Sequence, residues 1–397
     1  MRILHVISGI EIESGGVATA VCGMAEAVAA RGHQVTIACL DRGNTPPQPP
    51  SVALRTFPPD HQSPLWPSRG LRDYLGENVP AFEVVHIHGL WQQPGHYAAA
   101  AARLADIPYV VAPHGMLDAS SLAMGRRWAK SVAWFLWDST TVNGAAAIHC
   151  LNEAEIRSSP ALRTTPNVVI GNGIPSAVLE NLPSRGLWRQ EMKNALGDAS
   201  RPIALSLGRL HPVKGLERLL LAWPAALRQY PDALLVIAGT GDPEYVGRVK
   251  SLVRQTGLEN AVLFAGQLSG ADKWQALVDA DVFVHPSYRE GFSLAVTEAM
   301  AAGLPVILTR ECNFDEVERK NAGVIIDRGD MAAFVIAATT LIGSAESRRS
   351  MGRNGQSLVR ERFTWEAAAR KLEQLYHTLA SRTELPDDLR PAETSNR

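Results

Sequence analysis

The 397-residue sequence predicts an α/β protein of two parallel-sheet domains. Three observations carry that reading. Short β-branched runs alternate with longer amphipathic stretches, the pattern of strand–helix–strand units. That alternation stops near Ile170 and restarts at Ile203. The chain is also too long for one comfortable core of this class.

In the first half the strand-like runs are Arg2–Ile7, Gln34–Ala38, Val84–Ile87, Tyr109–Ala112, Ala146–His149 and Val168–Ile170. Helical patterns at Gly16–Arg31, Gly95–Leu104 and Leu122–Trp137 fall between them. The second half offers strands at Ile203–Leu207, Leu234–Ala238, Val262–Phe264, Val282–His285 and Val306–Leu308. Its helices fall near Leu216–Gln229, Tyr245–Gln255, Asp272–Leu277 and Leu294–Ala302, with Pro224 expected to kink or break the first. Asn172–Ser200 reads as the linker. The domains are then 1–175, completed by a C-terminal helix at 363–380, and 176–362. Asn44–Gly70 holds eight prolines and reads as a long surface loop without regular structure. Residues 381–397 are polar and read as a disordered tail.

A formal net charge of −1 argues against a nucleic-acid partner, which would need clustered excess cations. Cys22, Cys39, Cys150 and Cys312 are scattered without metal or disulfide spacing, as in a cytoplasmic protein. Met1–Ser8 reads as a buried strand rather than a leader, and no run reaches the roughly 18 apolar residues of a membrane span.

The strongest chemical signal is Glu290-Gly-Phe-Ser-Leu-Ala-Val-Thr-Glu298. It follows a strand, so it stands at the carboxyl edge of the sheet, where α/β folds bind ligands. Gly291 allows close backbone approach, and Ser293 is placed to cap a helix whose N-terminus attracts phosphate. Glu290 and Glu298 can accept from sugar and ribose hydroxyls. The second signal, Leu207-Gly-Arg-Leu-His-Pro-Val-Lys-Gly215, sets Arg209 and Lys214 after another strand, suited to neutralising a departing diphosphate.

With the Ser14-Gly15-Gly16 loop, His114-Gly115 and Asn172-Gly173-Ile174 in the same order, the chain resembles the retaining glycosyltransferases of family 4. That resemblance covers Met1 to Ala380 and implies the GT-B fold, two Rossmann-like domains facing each other across a cleft. It implies a metal-independent transferase that needs no cofactor beyond a UDP- or GDP-linked sugar. Arg209 and Lys214 would bind the donor diphosphate, Glu290 the transferred sugar and Glu298 the ribose. Gly291, Phe292, Ser293 and Leu294 would meet sugar and phosphate. Gly266, Gln267 and Leu268 would read the base. Gly16 would face the phosphates, and His114 the reacting sugar. The acceptor would be a sugar or lipid-linked molecule in bacterial polysaccharide or glycolipid assembly, as in members with a segment like Pro113–Asp118. The rival readings are a GT-B epimerase, which needs no acceptor, and a catalytically silent sugar-nucleotide-binding protein.

Other patterns weigh less. Asp279-Ala-Asp281 matches a metal-binding D-x-D but lies at the amino edge of the sheet. His86, His88, His96 and His114 suggest zinc, yet no carboxylate or cysteine completes a set; hydrogen-bonded neutral rings fit better. His88 and Trp91 follow a strand end and are candidates for lining the cleft. Gly239-Thr-Gly241 is an incomplete dinucleotide fingerprint. On the helix Leu122–Trp137, a 100° period puts Trp128, Val132, Phe135 and Leu136 on the core side. Arg126, Arg127, Lys130, Trp134 and Trp137 then form a basic, aromatic face suited to an anionic membrane surface.

Overall fold

The computed structural model describes residues 1–11, 16–43, 50–118, 122, 127–159 and 165–391. They divide into two units: Met1–Gly173 with Trp365–Arg397, and Ile174–Thr364.

The first unit holds a seven-stranded parallel sheet ordered β3-β2-β1-β4-β5-β6-β7. Its strands are β1 Arg2–Val6, β2 Gln34–Leu40, β3 Ala53–Phe57, β4 Val84–His88, β5 Tyr109–Ala112, β6 Ala147–Cys150 and β7 Asn167–Val169. Alternate residues feed opposite faces: Ile3 packs with the helices Gly16–Ala29 and Trp365–Ala380, Leu4 with Leu71 and Ala98. Because both faces are covered, the central strands are buried along nearly their whole length, the expected state of a parallel sheet.

The second unit holds a six-stranded parallel sheet ordered β10-β9-β8-β11-β12-β13. Its strands are β8 Ile203–Leu207, β9 Leu234–Ala238, β10 Val262–Gly266, β11 Val282–His285, β12 Val306–Thr309 and β13 Gly323–Ile326. In each sheet the strand order reverses beside its first strand, at β1/β4 and at β8/β11. Loops leaving the carboxyl ends of those neighbours diverge and open a crevice, the usual ligand position in such sheets.

Five expectations need correction. The proline-rich stretch does contain a strand: Ala53–Phe57 lies between Pro50 and Pro58 and, among the described residues, pairs with β2 alone, an edge position that flanking prolines tolerate. Asn172–Ser200 is no free linker. It carries three short helices, and it buries Trp188 and Arg189 in the second unit. Nor is 381–391 a loose tail, because Leu389 is buried in the first core with Leu385 against it; residues 392–397 lie outside the described set. The break expected at Pro224 does not occur: the helix Leu216–Leu227 includes that proline and ends three residues later.

The fifth correction concerns the aromatic helix. It runs as Arg127–Ala133, a π-helical turn at Trp134–Asp138, and Ser139–Asn143. Val132, Phe135 and Leu136 are exposed, whereas Trp134 packs against Trp91 and Trp137 lies beside His96. Val132, Phe135 and Leu136 do share one face, as the 100° period expects, but it is the outward one, because the tryptophans Trp134 and Trp137 fill the inward side. The expected basic tryptophan face is therefore reversed at its tryptophans. Arg126 lies outside the described residues, as does the side chain of Arg127. No helix among the described residues is long and apolar enough to cross a membrane.

Candidate active site

The switch point of the second sheet gathers the predicted donor residues. β8 leads into Gly208 and Arg209, then a 3₁₀ turn at Pro212–Lys214. β11 ends on His285 and leads through Glu290 to the helix Leu294–Ala301. Gly215 sits at φ +70°, and a Cβ there would come within 2.2 Å of the Pro286 carbonyl oxygen. Only glycine lets the two loops approach so closely.

The approach brings Lys214 to Glu290. Lys214 Nζ donates to Glu290 Oε1 at 2.6 Å, and His285 Nε2 donates to the same oxygen at 2.8 Å. The Asn313 side chain donates to the Glu290 carbonyl at 2.8 Å, and the Glu290 amide donates to Glu311 O at 3.0 Å, fixing the backbone from both sides. Burial disfavours the Glu290 charge, but His285 and then Lys214 outweigh it and hold the carboxyl down at about 2. Glu290 is thus an ionised acceptor with both recorded contacts on Oε1.

Ser293 occupies the N-cap position, but its side chain does not cap the helix. Its hydroxyl lies 3.4 Å from His285 Nε2 instead. The capping role expected of it is corrected on that ground: the hydroxyl faces the buried imidazole rather than the amides of the first turn. Glu298 lies in the same helix, where Lys273 Nζ donates to its Oε1 at 2.6 Å. Arg209 is exposed and shares a small cleft with Gly208, Leu210, Lys214, Ala238 and His285.

Three adjacent loops are bonded into one rim. Gly208 N donates to Ala238 O at 3.0 Å, Leu210 N to Thr240 O at 2.7 Å, and Gly239 N to Gly266 O at 2.6 Å. A Cβ on Gly239 would lie 1.9 Å from Gly208 O, so this glycine serves loop packing rather than a dinucleotide. Gly266 adopts φ +71°, and Gly266, Gln267 and Leu268 form the outer end of the rim. The described residues therefore bring Arg209, Lys214, Glu290–Leu294, Glu298 and Gly266–Leu268 to the carboxyl edge of one sheet.

The D-x-D pair is committed elsewhere. Arg189 N donates to Asp279 Oδ2 and Arg189 Nη2 to Asp281 Oδ2, each at 2.9 Å, and Arg185 Nη2 to Asp281 Oδ1 at 2.7 Å. These carboxylates anchor the segment that follows Ile174, at the opposite edge from the cleft.

In the first unit, Gly16 opens the helix Gly16–Ala29; Ser14 and Gly15 lie outside the described residues. His114 follows β5 with φ +52°, a left-handed position unusual for histidine. Its Nε2 meets His88 Nδ1 at 3.1 Å. His88 is buried rather than lining an open surface, and Trp91 is half-buried against Trp134. His5, His86 and His88 offer nitrogens within 4.8 Å of one another. The His86 and His88 rings stack at 4.2 Å, so their in-plane lone pairs do not converge on one ion. His96 stands apart from them, beside Trp137.

Sequence reasoning missed His285, Lys273, Asn313, His5 and His149. Only His285 carried a signal, as a polar residue ending an apolar strand one turn before Glu290.

Solved structures share this architecture. Sucrose-phosphate synthase from Thermosynechococcus elongatus aligns with TM-score 0.72 at 23% identity, over 96% of this chain and 100% of that one. Anabaena HepE in complex with UDP-glucose gives TM-score 0.74 at 19% identity, over 95% and 100%. The two-sheet topology and these neighbours define a GT-B protein. The glycosyl transferases group 1 description matches residues 189–358, and a glycosyl transferase 4-like domain matches 15–173. A GDP-mannose-dependent alpha-mannosyltransferase of Mycolicibacterium smegmatis is 30% identical over 411 positions, 97% of this chain and 99% of that protein. Spore coat protein SA of Bacillus subtilis is 32% identical over 195 residues, 47% of this chain, and the match spans about half of it, 52%. The chain belongs to the group 1 glycosyltransferases of family 4.

Proposed function

We propose that this chain transfers a hexose from a UDP- or GDP-linked donor to a hydroxyl of a sugar or lipid-linked acceptor. The transfer retains anomeric configuration, needs no metal, and serves bacterial polysaccharide or glycolipid assembly at the cytoplasmic face of the membrane. The observation that carries this reading is the Lys214–Glu290–His285 triangle at the start of the helix Leu294–Ala301, with Arg209 beside it.

Its chemistry follows from charge. The bond between the anomeric carbon and the diphosphate oxygen breaks, and negative charge grows on the departing phosphate. Arg209, Lys214 and the amides of Phe292, Ser293 and Leu294 stabilise that charge. Glu290 accepts from hydroxyls of the sugar, Glu298 from the ribose, and the Gly266–Leu268 rim meets the base. The acceptor oxygen bonds to the anomeric carbon from the face the phosphate leaves, and its proton passes to the departing phosphate oxygen. Retention by this route needs no carboxylate nucleophile, and Glu290, tied to Lys214 and His285, is not free to be one. The engagement of Asp279 and Asp281 by arginines supports transfer without a metal held there.

The exposed Val132, Phe135 and Leu136 support a lipid-linked acceptor, since an apolar face on a helix suits a membrane surface. Thermal shift with UDP- and GDP-sugars tests the donor class, because a bound ligand raises apparent stability. Turnover with acceptor should persist in EDTA. Full loss restored by Mn²⁺ would overturn the metal-free route, and product formed without acceptor would favour the epimerase.

A further inference from the structure

Five histidines distant in sequence meet in the first unit: His5 on β1, His86 and His88 on β4, His149 on β6, and His114 after β5. Burial holds all of them neutral, with His5 and His114 lowered to about 3, His149 to about 4, and His86 and His88 well below their ordinary value. A neutral imidazole has one donor and one acceptor nitrogen, so the direction of each bond can be worked out from the ends of the chain.

One branch ends on a carbonyl. Ile170 O only accepts, so His149 Nε2 carries hydrogen and donates to it at 2.7 Å. His149 Nδ1 must then accept, from His86 Nε2 at 3.3 Å. His86 Nδ1 in turn accepts from the Tyr376 hydroxyl at 2.7 Å. Every ring nitrogen in this branch has a partner.

The second branch joins His5 Nδ1 to His88 Nε2 at 2.9 Å, and His88 Nδ1 to His114 Nε2 at 3.1 Å. Among the described residues, His5 Nε2 is buried without a partner. If the bonds ran from His114 towards His5, that nitrogen would carry a buried N–H with no acceptor. In the opposite direction it is only an unused lone pair. Orphaned buried N–H groups are the rarer and costlier defect. The branch therefore runs His5 to His88 to His114, so His114 accepts at Nε2 and carries its hydrogen on Nδ1. The turn beneath it is fixed as well: Glu155 Oε1 accepts from Gly115 N at 2.5 Å, and Oε2 from Leu151 N at 2.9 Å.

We propose that His88 is a positioning residue for sugar transfer: oriented by His5, its Nδ1–H holds His114 in the Nδ1–H tautomer and leaves that N–H to donate to a hydroxyl of the reacting sugar. This rests on the reading that His114 meets the sugar, and extends it to a residue with no sugar contact of its own.

The test combines ¹⁵N-histidine NMR with kinetics of His88→Leu, His88→Asn and His114→Ala. Wild type should show His114 protonated at Nδ1, and His88→Leu should lose that single tautomer. Turnover of His88→Leu should fall about 10²-fold, as misplacement of a reacting contact does. KM for the nucleotide sugar should stay within about twofold, because uniform donor binding is untouched. His88→Asn, whose amide N–H replaces Nδ1–H, should recover turnover to within about tenfold of wild type. In the His114→Ala background, His88→Leu should cost nothing further. Wild-type His114 protonated at Nε2, or an equal cost of His88→Leu in that background, would overturn the proposal. Full turnover by His114→Ala would instead overturn the role of His114 itself, while the spectrum reports on the His88 contact independently. Should His88→Leu fail to fold, the wild-type spectrum and His88→Asn decide.

Discussion

The two units bury polar groups at the carboxyl edges of similar sheets by opposite means. The first uses uncharged rings: five imidazoles and Tyr376 hand hydrogen bonds to one another. The second uses charge, setting Lys214 on Glu290, which also accepts from His285, and Lys273 on Glu298, and at its amino edge Arg189 on Asp281. A neutral relay avoids the cost of desolvating ions but depends on every link having the right tautomer. Paired ions cost more to bury, and they supply the fixed charge that a departing phosphate needs. The contrast matches the proposed tasks, orientation in one unit and charge stabilisation in the other.

The largest effect should come from breaking a buried pair in the second unit. Arg189→Ala leaves Asp281 with the partly exposed Arg185 and Arg348, and should cost about 3–5 kcal/mol in chemical denaturation. Unchanged stability would mean that the arginine anchor is dispensable. Next, Lys214→Ala should lower kcat by about 10²–10³-fold with the fold retained, the scale for losing one charge-stabilising donor. A rate within a few-fold of wild type would remove Lys214 from the diphosphate site. In the first unit the matching deletion is gentler. Tyr376→Phe strands one acceptor, His86 Nδ1, and should cost about 1–3 kcal/mol.

Acid should separate the units further. The five imidazoles have native pKa values below the ordinary 6.5, so the unfolded chain binds more protons once pH falls beneath that value. First-unit stability is therefore lost as pH drops from about 6.5 towards 4. Asp138, raised to about 7, and Glu155, also raised by burial, oppose this, but they are two groups against five. Glu290, lowered to about 2, costs the second unit stability only below its ordinary 4.5. Domain-resolved hydrogen exchange at pH 7 and pH 5 should show the first unit weakening more than the second, where His211 is lowered by burial and its cationic neighbours; equal weakening of both would contradict the assignment.

The proposed donor residues could be grouped from sequence because they are local: Arg209 with Lys214, and Glu290 with Glu298, each lie within a single loop or helix start. The sheets were readable because buried parallel strands are continuous β-branched runs. β3 was hidden by its flanking prolines, and Gly323–Ile326 by its brevity and an opening glycine. The histidine relay was not readable, since its members are drawn from positions 5 to 376 and only the sheet order makes them neighbours. The aromatic helix was misread because both of its faces carry large apolar side chains, so the period groups residues without saying which group faces inward.

The helix Trp365–Ala380 has a consequence for how the protein is made. It belongs to the first unit, where its Trp365 fills the space above Gly23 and its Tyr376 completes the His86 bond. As the ribosome emits the chain, everything up to Gly173 must wait with a missing wall while Ile174–Thr364 emerges as one continuous stretch. The second unit is thus the one able to finish first, although it is synthesised later. A chain ended after residue 364 and released from the ribosome should show a folded second unit and a protease-sensitive first one, inverting the N-terminal-first order common among multidomain chains.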